Sequence, residues 1–262
     1  MNYFELLKTF GTDIRIAVSL CTILPVGPAT PLEQGEVARA SWALPVAGLL
    51  VGLIGAVTYS IAARLGLAAG PSAMLALTAT ILVTGAMHED GLADTADGLG
   101  GGSSRDHKLE IMRDSRLGTY GACALVASII LRWSAIAGIA ESQSVATALL
   151  VSHAVARAAL PPFMWLVPPA RPDGLSARAG QPSQQSAIIA LGLGALCLIF
   201  GFGPSKAMVA LLFLALTGLV LARLALRQIG GQTGDVVGAL EQSGEIAVML
   251  IGAALWHGEL RS

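Results

Sequence analysis

The sequence predicts an all-α fold, a polytopic integral membrane bundle, and three observations lead there. Of 262 residues, 54% are hydrophobic and only 13% charged, against roughly 25% charged in an ordinary soluble domain. The mean hydropathy is +0.70. Seven apolar runs are long enough, or nearly so, to cross about 30 Å of hydrocarbon as helices. So few charges cannot cover a water-soluble globule of this size, and so apolar a chain cannot stay disordered. A single membrane domain over 1–262 is expected. The net charge of -1 supplies no field for nucleic acid, so the expected partners are the lipid membrane and small-molecule substrates. Oligomeric state stays open, a homo-oligomer included. The 31 glycines suit helices that pack closely in a bilayer.

The first apolar run, 14–26, is the weakest. Glu5 and Asp13 stand where a secretory leader would be basic, so the segment does not read as a signal peptide. Pro25, Pro28 and Pro31 break it, so it lies in the interface, re-enters, or forms an eighth span. The seven clear spans are 42–65, 72–87, 120–139, 145–167, 186–202, 206–226 and 236–256. Cys21, Cys123 and Cys197 are scattered among these runs and read as small buried hydrophobes. Between the spans the loops alternate. Three are polar, 89–118, 168–185 and 228–235. With their flanks they carry Arg105, Lys108, Arg113, Arg116, Arg171, Arg178, Arg223 and Arg227, while the others offer little beyond Arg64 and Lys206. That asymmetry places the three polar loops, residues 103–108 and 172–180 among them, on the cytoplasmic side of the membrane.

Chemistry concentrates in the polar loops. In His88-Glu-Asp-Gly-Leu-Ala-Asp-Thr-Ala-Asp-Gly-Leu-Gly-Gly-Gly102, the residues Asp90, Asp94 and Asp97 are spaced i, i+4, i+7. On a helix they share one face, continuing the preceding span. Three carboxylates there repel unless a cation neutralises them. An oxygen-only set selects a hard ion, Mg²⁺ being the usual choice beside phosphates. His88 and Glu89 project elsewhere on this helix. His88 reads either as a ligand or phosphate donor, or as an interfacial histidine. The glycines 98–102 follow no strand, so a dinucleotide-binding loop is excluded and a flexible turn near phosphate is expected. Arg113 and Arg116 offer forked donors for phosphate oxygens, and Asp114 could complete a metal site.

The last segment runs from Gly230 to Glu245. Asp235 opens the final span beside a glycine-rich turn, and that turn is expected to fold against the 90–97 helix. Glu241 and Glu245 lie one turn apart inside the apolar run, as do His153 and Arg157 in another span, with Arg132 in a third. Charges at that depth need partners or a cavity. Pairing of Glu241 or Glu245 with Arg157 or Arg132 is one reading, and a functional role is the other.

The chain resembles the adenosylcobinamide-GDP ribazoletransferase (cobalamin synthase) family. The resemblance rests on the 88–98 stretch, on Glu110-Ile-Met-Arg-Asp-Ser-Arg-Leu-Gly-Thr-Tyr-Gly121, on Gly231-Gln-Thr-Gly-Asp-Val-Val-Gly-Ala-Leu-Glu-Gln-Ser-Gly-Glu245, on the Leu24-Pro25-Val26 turn and on Arg157. It extends over essentially the whole chain and implies a multi-pass enzyme of the bacterial inner membrane with its active face cytoplasmic. Such enzymes use Mg²⁺ to join adenosylcobinamide-GDP to α-ribazole, or to its 5′-phosphate, with release of GMP. On this resemblance Asp90, Asp94, Asp97 and Asp114 are expected to hold metal. Asp94, Asp97 and Asp235 are expected to be catalytic, and His88, Arg113, Arg116 and Arg157 to bind substrate. CDP-alcohol phosphotransferases place an Ala-Arg pair after the acidic motif, and none follows Asp97-Gly98. UbiA-type prenyltransferases place Asn before the first Asp, where this chain has Glu89. A cation-coupled transporter would carry its acids at mid-bilayer and often an inverted repeat, and no repeat is found.

Overall fold

The computed structural model describes residues 3–27, 33 and 35–259. The described residues form helices α1 (Tyr3–Cys21), α2 (Glu36–Ala40), α3 (Leu44–Arg64), α4 (Ala69–Val83), α5 (Met87–Gly101), α6 (Arg105–Ile111), α7 (Thr119–Ile139), α8 (Ser142–Ala158), α9 (Leu160–Leu166), α10 (Leu175–Ala179), α11 (Gln184–Phe202), α12 (Pro204–Gln228) and α13 (Gly234–Glu259). Their one extended pairing is a parallel bridge between Pro169 and Gln232. Among the described residues six segments are long and apolar enough to cross a membrane, Glu36–Arg64, Thr119–Ile139, Ser142–Leu166, Gln184–Phe202, Pro204–Gln228 and Gly234–Ala254, and a seventh if the bent pair Ala69–Val83 and Met87–Gly101 counts as one broken span. Each of the six coincides with an expected span.

The expected run 72–87 needs correction. Helix α4 ends at Val83, and α5 leaves at 87° to it. The Gly85 N–H donates to Leu82 O and the Ala86 N–H to Ile81 O, with both Gly85 and Ala86 at positive φ. This is the Schellman ending of a helix. The 15 residues of α4 rise about 22 Å, short of the full hydrocarbon thickness. The acidic helix α5 is therefore a separate arm and does not prolong a straight span. The glycines 98–102 need the same correction, because α5 stays helical through Gly101. Its glycines leave room for neighbours: Met112 closes on Gly98 and Tyr120 on Gly100.

Helix α1 is not among the six spans. It is clamped beside α2 through the buried Asp13, whose oxygens accept from Arg39 Nε and Trp42 Nε1, both at 3.0 Å. The helix stops at Cys21, before Pro25; Pro28 and Pro31 lie outside the described residues. Cys21 is buried and Cys197 half-buried, but Cys123 is exposed on α7, contrary to expectation.

Helix α8 is the centre of the bundle, packed by α3, α13 and α11. Its spanning window is 72% buried, against 17% for the peripheral α12. At one end of the bundle Arg105 ties the three polar loops together. Its Nε donates to Ile229 O at 2.9 Å and its Nη2 to Ala170 O at 2.7 Å. The loops that sequence assigned to one side of the membrane do meet at one end of the fold.

Candidate active site

The three aspartates of α5 lie along one edge of that helix. Asp90 is exposed, Asp94 half-buried and Asp97 buried. Seven residues of helical rise separate the first from the last by about 10 Å. Asp97 faces the start of α7. Its Oδ2 accepts the Gly118 N–H at 2.7 Å and its Oδ1 the Gly121 N–H at 2.9 Å. The carboxylate thus satisfies donors that the first turn of α7 would otherwise leave open, and its charge suits the helix dipole. It presses so closely on Gly118 and Gly121 that a Cβ at either would strike it. The Leu-Gly-Thr-Tyr-Gly stretch is thereby explained as the cradle of Asp97.

Asp235 comes to this edge from the far end of the chain. A Cβ on Gly91 would stand 2.9 Å from Asp235 O and 3.2 Å from Gly238 Cα. Helices α5 and α13 therefore cross backbone to backbone at Gly91 and Gly238. The turn before α13 is pinned by main-chain bonds from Gln232 N to Pro168 O and from Ala170 N to Gln232 O, both 2.8 Å. A bond of 2.6 Å from Ser176 Oγ to Gln232 Oε1 adds to them. Asp235 is not the cap of its helix. Thr233 Oγ1 accepts the Val236 N–H at 3.3 Å and donates to Asp235 Oδ2 at 3.1 Å, so Thr233 caps the helix and orients the aspartate.

Asp94 stands in the middle of this group and outside the six spans. Burial pushes its carboxyl up to about 7, and the charges of Asp90, Asp235 and Asp97 push the same way. The oxygen-only donors of these four carboxylates are the type a hard divalent cation takes, but among the described residues the group whose ligand atoms come within 4.8 Å of one another is His153, Glu241 and Glu245, not these four. The charge of Arg171 acts on Asp235.

The arginines of the 110–118 segment are engaged elsewhere. Arg113 Nη2 pairs with Asp173 Oδ2 at 2.6 Å, both well exposed. Arg116 grips Asp114 with two donors, and this holds the Asp114 carboxyl below its ordinary range. Asp114 is thus joined to Arg116, and the charges that act on Asp94 are those of the other aspartates.

His88 and Arg157 sit on the opposite side of α5, inside the bundle, in a network across α5, α7, α8 and α13. Arg132 Nη1 lies 3.0 Å from Glu89 Oε1 and 3.1 Å from Glu245 Oε1. His153 Nδ1 is 3.0 Å from Glu245 Oε2, and His88 Nδ1 is 3.5 Å from Glu241 Oε2. Arg157 Nη1 stands 2.6 Å from Glu241 Oε1 as a charge contact off the hydrogen-bond line, while donating to His153 O at 3.2 Å. Ligand atoms of His153, Glu241 and Glu245 come within 4.8 Å of one another. All four glutamate oxygens already face arginine or histidine there, so a cation would have to displace them. The pairing reading of Glu241 and Glu245 is the one the structure adopts.

Three residues of the site's frame were not singled out for it by sequence. Arg171 and Arg105 were visible only as loop charges. Thr233 carried a signal, a hydroxyl residue just before a helix with an acid after it.

A helical membrane bundle whose polar loops converge on an acid-lined helix face defines an integral membrane enzyme. A family model described as cobalamin-5-phosphate synthase matches residues 13–253. A relative from Bradyrhizobium diazoefficiens, called adenosylcobinamide-GDP ribazoletransferase, is 60% identical over 97% of this chain and 98% of its own. Relatives of the same name from Mesorhizobium japonicum and Azorhizobium caulinodans are 50% and 44% identical, each over 91% of this chain and over 92% and 94% of their own. No solved structure matches. The chain belongs to the cobalamin-5-phosphate synthase family.

Proposed function

We propose that this chain transfers the adenosylcobinamide phosphate group from adenosylcobinamide-GDP to α-ribazole or its 5′-phosphate, releasing GMP. The observation that carries the mechanism is the meeting of Asp235 with Asp90, Asp94 and Asp97 on two helices far apart in sequence. Those four would hold Mg²⁺, which supplies charge neutralisation for the pyrophosphate. The ribazole hydroxyl attacks the phosphorus on the cobinamide side, and the bond to the GMP oxygen breaks. Asp235, steadied through one oxygen by Thr233, would complete the Mg²⁺ shell or take the hydroxyl proton. Asp97 fixes the start of α7 against α5, which keeps the acidic edge from shifting. The arginine-rich loops gathered at this end support a cytoplasmic orientation for it, in the bacterial inner membrane that the family reading implies.

Purified protein in detergent, given both substrates and Mg²⁺, is expected to release one GMP per cobalamin product. EDTA should stop release and added Mg²⁺ restore it; no GMP in any condition would refute the assignment. Asp235→Asn should lower turnover at least about a hundredfold with little change in melting temperature. Asn keeps the Thr233 contact and loses only the charge. Near-normal turnover would remove Asp235 from the reaction.

A further inference from the structure

A cavity of about 370 Å³ lies between α6 and the 170–172 segment. Its walls are chemically mixed. Arg105 and Arg171 bring positive charge, Asp106 and Glu110 bring carboxylates, and Leu109 and Pro172 bring flat apolar surface. The size falls in the range of small-molecule sites, roughly 300–1,000 Å³.

Two details mark it as a binding site. Arg171 is lightly held: Nη1 donates to Leu109 O at 3.3 Å, and its buried Nε has no hydrogen-bond partner. The guanidinium can therefore turn toward a ligand in the cavity without losing a bond from Nε. Arg171 also acts electrostatically on Asp235, and the neighbouring Ala170 N bonds to Gln232 O, so this wall of the cavity adjoins the turn that carries Asp235. Asp106 and Glu110 lie one helical turn apart on α6, on the same face as the cavity. Ionised carboxylates only accept hydrogen bonds.

We infer that this cavity is the subsite for the guanine nucleotide: Arg171 takes the phosphate that departs, and the carboxylates of Asp106 and Glu110 read the base. The inference rests on the transferase reading above. Guanine presents two adjacent donors, N1–H and the exocyclic amine, which an acceptor-only carboxylate matches. Adenine presents an acceptor at N1 and is mismatched there. Guanidinium and proline surfaces stack on a flat base, and an arginine fork suits a phosphate. Arg113, on the rim, is already paired with Asp173.

The test uses the full-length protein in detergent, with GMP and AMP as probes of product inhibition and of binding without the other substrates. GMP should bind at least about tenfold more tightly than AMP. Glu110→Ala or Asp106→Ala should erase most of that preference by weakening GMP and sparing AMP, and Glu110→Gln should weaken it less. Arg171→Ala should weaken both nucleotides about equally, through the shared phosphate. A merely structural role for these residues would change both affinities without changing their ratio. If both carboxylate variants keep the preference, or Arg171→Ala leaves GMP affinity unchanged, while wild type still releases GMP, the subsite is elsewhere and the transferase reading stands. If wild type releases no GMP, that reading itself fails.

Discussion

Asp94→Asn is expected to lower GMP release at least about a thousandfold while leaving the fold intact. Asp94 lies between Asp90 and Asp97 on α5, and Asp235 faces it from α13. It is the carboxylate on which the charges of the other three all act. Asn keeps the size and one oxygen but removes the charge. Loss of one group that stabilises the transition state by itself lowers rates by 10²–10³, and a weakened metal site multiplies that loss. The structural effect runs the other way. In the metal-free protein the Asp94 charge is repelled by three neighbours, so removing it relieves strain. Melting temperature without Mg²⁺ should hold or rise, and the stabilisation that Mg²⁺ gives wild type should shrink. Initial rates and thermal melts on the same preparations would decide. More than a few per cent of wild-type turnover at saturating Mg²⁺ would exclude Asp94 as a ligand.

Asp97→Asn would be a poorer probe, and the reason bears on what a sequence can reveal. Spacing placed Asp90, Asp94 and Asp97 on one face, which the helix delivers because periodicity is a local property. Spacing could not tell that Asp97 also holds the first turn of α7, since that depends on how residues 118–121 pack against α5. The spans were legible because hydropathy reports the bilayer directly. The 87° break after α4 was not, because a glycine inside an apolar run fits a straight helix as well as a left-handed ending. Arg113 and Arg116 read as phosphate clamps by residue type, and spacing could not show that each also pairs with a carboxylate at the surface, Asp173 and Asp114. The convergence of the 230–235 turn on α5 was legible, since charge at a common membrane depth limits where Asp235 can go. Arg171 was hidden, because nothing local distinguishes it from any other loop arginine.

Arg157 offers the second large effect, and it separates two roles for the residue. Arg157→Met should destabilise the protein by about 3–5 kcal/mol, the range for removing one partner of a buried ion pair. Arg157 is fully buried beside the equally buried Glu241, so the variant strands a carboxylate in the bundle interior. Neutralising that carboxylate should repair much of the damage. Arg157→Met with Glu241→Gln is expected to be distinctly more stable than Arg157→Met alone, a coupling that a double-mutant cycle reads directly. Simple additivity would mean that the two charges do not support each other. The network also backs α5, since His88 meets Glu241 and Glu89 meets Arg132 on the side away from the aspartates. A structural Arg157 would therefore impair turnover only through the position of α5, and the double variant should regain rate along with stability. An Arg157 that touches substrate would leave the double variant stable and inactive. The burial of its guanidinium among Glu241, His153 and His88 favours the first outcome: Arg157 holds the acidic helix in place from behind.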